Sequence, residues 1–189
     1  MPKIIAGLFK GLNLSAPKGL LTRPTSAMAR EAIFSILGSK TQGARVLDLL
    51  AGSGALGFEA VSRGADFALL CDSASSAIRS LNTNLHKIPL SCQERVKILK
   101  AAFPKETASL TRFAPFDLVF LDPPYKDREI AENFLLRAQN YNLLSPGALA
   151  IWEQEREDLH SIDPEKLKSW KLIDSRAWGR TGAAFFELE

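Results

Sequence analysis

The chain has 189 residues, 46% hydrophobic and 24% charged, with a formal net charge of +3. That length and balance predict a single soluble globular unit and exclude a disordered chain, and no apolar run reaches the ~18–20 residues of a membrane span. Two cysteines, Cys71 and Cys92, exclude a disulfide framework or cysteine-rich metal site, and with no apolar leader after Met1 the chain reads as cytoplasmic.

The charge is uneven. Residues 1–45 carry seven basic side chains against one acid, Glu31, a net +6, and the remainder sums to −3. A basic end on a mildly acidic body points to a polyanion contact, with Lys3, Lys10, Arg23 and Arg30 as candidate phosphate contacts. Arg23 and Arg30 have an internal alternative, such as a pair with Glu31. Lys3 to Leu14 reads as a small hairpin around Gly7 and Gly11. Thr25 caps a helix running to Leu37, with Gly38 as its stop and Ala29, Ile33, Ile36 and Leu37 facing inward.

From residue 45 onward, short apolar runs alternate with helical stretches. Strands are predicted at 45–50, 67–71, 96–99, 116–121 and 147–152, and helices at 55–63, 73–86 (with Ser73 as N-cap) and 128–140. Strands that are apolar throughout, separated by helices, imply a parallel sheet covered on both faces. The acidic run Glu153 to Asp158 reads as a solvated loop. Trp170 to Ile173 and Ala183 to Leu188 have no helix between them and predict an antiparallel closing hairpin through Trp178-Gly179-Arg180-Thr181-Gly182.

Two junctions carry the chemistry. After the first strand comes Asp48-Leu49-Leu50-Ala51-Gly52-Ser53-Gly54-Ala55-Leu56-Gly57. Gly52 and Gly54 let the backbone approach a ligand and reach positive φ, and Gly57 lets the helix pack close on the sheet. Asp72, at the end of the second strand, is placed to hold ribose hydroxyls. The turn is longer than a nicotinamide fingerprint, and Asp48 would repel pyrophosphate but hold an ammonium group. A nucleoside bearing an amino acid and no phosphates, S-adenosylmethionine, suits it; a turn-capping role for Asp48 is the plain alternative.

The second junction is Asp122-Pro123-Pro124-Tyr125, directly after the strand Phe116 to Leu121. Two prolines halt the strand and stiffen its end into an acceptor-lined edge flanked by a carboxylate and an aromatic ring. Such an edge can clamp a flat amino-bearing group, or it can be an ordinary Pro-Pro turn. Cys71, Cys92, His86 and His160 read as packing, helix-end or loop residues, away from this edge, and no cluster suggests a metal.

With D-x-x-x-G-x-G after the first strand and D-P-P-Y after the fourth, the chain resembles the class I S-adenosylmethionine-dependent amino-methyltransferases. Lys3-Ile4-Ile5-Ala6-Gly7-Leu8-Phe9-Lys10-Gly11, Arg23-Pro24-Thr25, Arg30-Glu31-Ala32-Ile33-Phe34-Ser35-Ile36-Leu37 and Trp178-Gly179-Arg180-Thr181 are similar to blocks of the RsmD-type family, in the same order. The resemblance implies a Rossmann-like class I methyltransferase fold: a mostly parallel sheet with an antiparallel C-terminal hairpin and helices on both faces. A basic β-hairpin extension would span residues 1–22 and the methyltransferase domain 23–189.

It implies methyl transfer from S-adenosylmethionine to guanine N2 of small-subunit (16S) ribosomal RNA, without metal, by a monomer acting on RNA or an assembling subunit. Asp122, Pro123, Pro124 and Tyr125 would be catalytic, with Tyr125 stacking on the flipped base. Asp48, Ala51, Gly52, Ser53, Gly54, Asp72, Ala102 and Phe103 would hold the cofactor. Lys3, Lys10, Arg23, Thr25 and Arg30 would contact RNA. Ala101-Ala102 stands where many members have Asp or Asn followed by Ala, so adenine recognition would fall to backbone groups near Ala102 and packing by Phe103. Adenine-N6 methylation of DNA or RNA is the nearest rival; a non-catalytic cofactor-binding RNA module and an NAD-dependent reductase are further ones.

Overall fold

Among the described residues, seven strands make one sheet: β1 (Arg45–Asp48), β2 (Phe67–Asp72), β3 (Val96–Lys100), β4 (Phe116–Leu121), β5 (Leu144–Glu155), β6 (Trp170–Trp178) and β7 (Thr181–Leu188), in the order β3-β2-β1-β4-β5-β7-β6. In this computed structural model the described residues are 1–17, 27–124, 127–161 and 164–189; Arg23, Thr25 with its capping role, and Tyr125 lie outside them. β1 to β5 run parallel, and β7 runs antiparallel to both β5 and β6, as the closing hairpin requires.

The helices α1 (Ala27–Leu37), α2 (Ala55–Ser62), α3 (Ser75–Leu85), α4 (Leu90–Gln93) and α5 (Glu129–Arg137) cover both faces. Alternate side chains of each strand feed two cores, which is why the strands read as apolar throughout. Val46, Phe120 and Ile151 pack with Phe34, Phe58, Val61 and Leu81 on one face. Leu47, Leu121 and Trp152 pack with Leu110, Phe134 and Leu135 on the other. This is the expected Rossmann-like arrangement. No helix among the described residues is long and apolar enough to cross a membrane.

Some local expectations are corrected. β5 begins three residues early, at Leu144, and passes through Pro146 and Gly147; a register shift against β4 between Phe116 and Leu118 absorbs them. Its far end takes up the start of the acidic run, so Glu153 and Gln154 are 5% and 3% exposed rather than solvated. Ile36 is 40% exposed and does not face inward. Ser73 does not cap α3: the helix starts at Ser75, and Asp72 Oδ1 accepts the Ala74 N–H at 2.8 Å instead.

Residues 3–14 fold as tight turns closed by one antiparallel bridge, Lys3 to Asn13. Ile4, Phe9 and Leu14 are buried in the α2-side core. Glu59 of α2 fixes this segment, accepting the Ile5 N–H at 2.7 Å and the Ala6 N–H at 3.0 Å. Contact is close enough that a Cβ on Gly7, at φ +83°, would stand 1.8 Å from the Ser62 carbonyl oxygen.

Candidate active site

Three carboxylates mark the C-terminal edge of the sheet. Asp48 of β1 pairs in register with Leu70 of β2 and Phe120 of β4, so Asp72 and Asp122 each lie two residues beyond a partner of Asp48. The period of two puts Asp48 and Asp72 on one face, and Asp122, just past the end of β4, is near enough to act on the Asp48 carboxyl. They flank the point where the strand order reverses between β1 and β4, the usual place for a ligand in an open α/β sheet.

The glycine turn is built as its spacing predicts. Gly52 and Gly54 have φ of +54° and +77°, and the Gly54 N–H closes the turn onto the Ala51 carbonyl at 2.6 Å. A Cβ on Gly54 would come within 2.7 Å of Leu70 and Phe58, and one on Gly57 within 3.0 Å of Leu70. At Gly52, by contrast, nothing lies within 4 Å of such an atom. The turn is thus tight underneath and open above.

Asp48 is 2% exposed, and its Oδ2 accepts the Gly57 N–H at 2.9 Å, so it caps the turn as well as lining the site. Burial pushes its carboxyl up to about 7; the Gly57 bond opposes this, while nearby Asp122 and Asp72 add to it. Asp72 is half-buried; its Oδ2 accepts the Gly52 N–H at 2.9 Å while Oδ1 holds Ala74. Each oxygen keeps a second lone pair for a hydroxyl.

The end of β3 lies beyond Asp72. The Ala101 N–H donates to the Asp72 carbonyl at 3.1 Å, and the next N–H, of Ala102, donates to Glu106 Oε2 at 2.6 Å. Phe103 packs part-buried against the other face. Just past β4, Asp122 is half-buried, Pro123 buried and Pro124 exposed, with the Pro124 carbonyl taken by the Asp127 N–H at 2.7 Å. Both cysteines are buried free thiols, and burial pushes Cys71 well above its ordinary range, which unfits it as a nucleophile.

Lys3 and Lys10 are exposed on the N-terminal turns. Arg30 is not available to phosphate and is corrected here: it is 1% exposed, donates Nη2 to the Lys3 carbonyl, and lies 3.8 Å from Glu59 Oε2. Sequence reasoning missed Glu59, Glu106 and Asn84. Asn84 of α3, fully buried, donates to the carbonyls of Ser53 and Ser15 at 2.9 Å each and accepts the Ser15 N–H at 2.7 Å. Lys87 adds bonds to Asn84, Ser15 and the Asn13 carbonyl. An Asn in a helix carries no local signal of such a role, because its partners lie 31 and 69 residues away.

The family model described as "Conserved hypothetical protein 95" matches residues 2–187. The YlbH protein of Bacillus subtilis is 33% identical over 98% of each chain. Ribosomal RNA small subunit methyltransferase D of Haemophilus influenzae is 32% identical over 94% of this chain and 89% of its own. The solved structure of yhhF from Escherichia coli, 26% identical, has a TM-score of 0.80 over 100% of this chain and 98% of that one. A more distant structure, SMU.776 in complex with SAH, is 14% identical with a TM-score of 0.65 over 95% of this chain and 52% of that one, and bears on the fold alone. The chain belongs to the matched family, the RsmD-type methyltransferases.

Proposed function

We propose that this protein transfers the methyl group of S-adenosylmethionine to the exocyclic N2 amine of a guanine in small-subunit (16S) ribosomal RNA. The observation that carries the reading is the group Asp72, Asp48 and Asp122 at the ends of three adjacent strands, with the glycine turn beside it. S-adenosylmethionine supplies an electrophilic methyl group on a sulfonium. Asp48 holds the ammonium group, Asp72 the ribose hydroxyls, and the open face of Gly52 admits the chain between them.

An exocyclic guanine amine is a weak nucleophile because its lone pair is delocalised into the ring. Asp122 and the Pro123 carbonyl accept its two N–H bonds and turn the lone pair out of conjugation, and Asp122 is placed to take the proton released. Positioning and electrostatics then do most of the catalysis. Tyr125 stacks on the flipped base. Lys3 and Lys10, with Arg23 and Thr25, hold the RNA backbone. In this reading the protein acts as a monomer without metal, in the cytoplasm, on RNA or an assembling subunit.

The test is incubation with methyl-labelled S-adenosylmethionine and undermethylated ribosomal RNA or small subunits, followed by nucleoside identification. Label in N2-methylguanosine is expected. Label in N6-methyladenosine replaces the substrate assignment, and intact cofactor binding without label refutes transferase activity.

Asp48 adds a pH signature. Its folded pKa, about 7, lies above its ordinary value. Its contribution to stability is therefore full below about pH 4 and is lost as pH rises through 7. Binding an ammonium group requires the ionised form, so S-adenosylhomocysteine affinity should rise about eightfold from pH 6.0 to 7.5, before the ligand's own amine deprotonates. Asp48→Asn should bind weakly with a flat profile over this range, yet resist urea better at pH 8. Calorimetric titration and urea midpoints check both; a pH-dependent Asn variant would reassign the titration to another group.

A further inference from the structure

A nucleoside with its ribose at Asp72 and its reactive end toward Asp122 runs across β4, β1 and β2, so its base lies over β3, the next strand outward. There the Ala101 side chain is a methyl group at 3% exposure, and its N–H is already committed to the Asp72 carbonyl. The first N–H beyond the ladder is that of Ala102, which is exposed and meets the Glu106 carboxylate at 2.6 Å. The Glu106 N–H in turn donates to the Ala102 carbonyl at 3.0 Å, so the turn holds its own carboxylate beside that donor.

A backbone donor next to a carboxylate acceptor is the complement of one base edge: an acceptor N1 beside an amino group at C6. We propose that Glu106 is a specificity-determining residue, its carboxylate accepting the adenine N6–H while the Ala102 N–H donates to N1. The proposal rests on the S-adenosylmethionine reading above. Entry of the base edge exchanges one internal hydrogen bond for two, leaving no polar group unpaired. A 6-oxo purine presents an N1–H donor to the Ala102 N–H and an oxygen to the carboxylate, so both contacts turn repulsive.

The experiment titrates wild type, Glu106→Ala and Glu106→Gln with S-adenosylhomocysteine and its 6-oxo analogue S-inosylhomocysteine, with thermal midpoints as a folding control. Wild type should prefer the adenine ligand by at least ~30-fold, and Glu106→Ala should lose about tenfold in adenine-ligand affinity together with most of the preference. Glu106→Gln should keep adenine-ligand affinity within about threefold while binding the 6-oxo ligand more tightly than wild type does, because an amide can turn either its oxygen or its NH₂ to the base. A role confined to the 102–106 turn would not produce that inversion. Adenine-ligand affinity and preference unchanged in Glu106→Ala, or tighter binding there, overturns the proposal. Failure of wild type to bind S-adenosylhomocysteine instead overturns the cofactor reading on which it stands.

Discussion

Replacing Asp122 by alanine is expected to slow methyl transfer about 10³-fold in single turnover while S-adenosylhomocysteine affinity stays within about threefold. The split follows from where the residue stands. Asp122 follows the last residue of β4, and the Pro123-Pro124 pair behind it has no N–H with which to prolong the ladder. The carboxylate is therefore held by a stiff edge at the end of a rigid strand, next to the strand that carries Asp48. In the proposed reading, cofactor groups fall to β1 and β2, and the amine alone falls to the end of β4. Asp122→Asn keeps an acceptor but loses the charge, and should fall between wild type and alanine. Removing the Asp122 charge also relieves Asp48 of a repulsive neighbour, so the alanine variant should bind S-adenosylhomocysteine slightly better at pH 6.5. Loss of binding and transfer together would make Asp122 a support for the loop rather than a partner of the amine.

The second large effect is on stability. Glu59→Ala should cost about 3–5 kcal/mol by urea unfolding, near the top of what one substitution does. Glu59 is fully buried in α2 and answers four groups: the Ile5 and Ala6 N–H, Arg63 Nε at 2.8 Å, and Arg30 across 3.8 Å. Deleting it takes from Arg30 its strongest attracting acid, and burial already lowers the Arg30 pKa despite the pull of Glu59 and Glu153. Glu59→Gln still offers one acceptor but leaves the guanidinium with only the weaker pull of Glu153, and should recover only part of the loss. A cost below ~1 kcal/mol would mean that the apolar anchors Ile4, Phe9 and Leu14 hold the N-terminal segment by themselves.

These residues also show what the sequence disclosed. β4 was legible to the residue because an apolar run ended in two prolines, a local signal with a local cause. The glycine turn was legible for the same reason: φ above zero at Gly52 and Gly54 is a backbone demand that only the residue type reveals. The length of β5 was not, because Pro146 argues against a strand and its accommodation depends on a register shift against β4, a tertiary fact. Arg30 misled because a basic residue near a basic end looks solvated until its buried acid is known, and that acid is 29 positions away on another helix. Ser73 misled more narrowly: it had the right chemistry for a cap, but the residue before it already supplied the oxygen.

The buried amide of Asn84 has a consequence for anyone wishing to move this glycine turn to another scaffold. The Ser53 carbonyl is satisfied by a side chain of α3, and that same side chain is satisfied by residue 15. The sequence from Asp48 to Gly57 is therefore not a portable cassette. A graft that takes it alone inherits an unpaired carbonyl at its tip, whereas one that takes Asn84 inherits the need for an N-terminal strap.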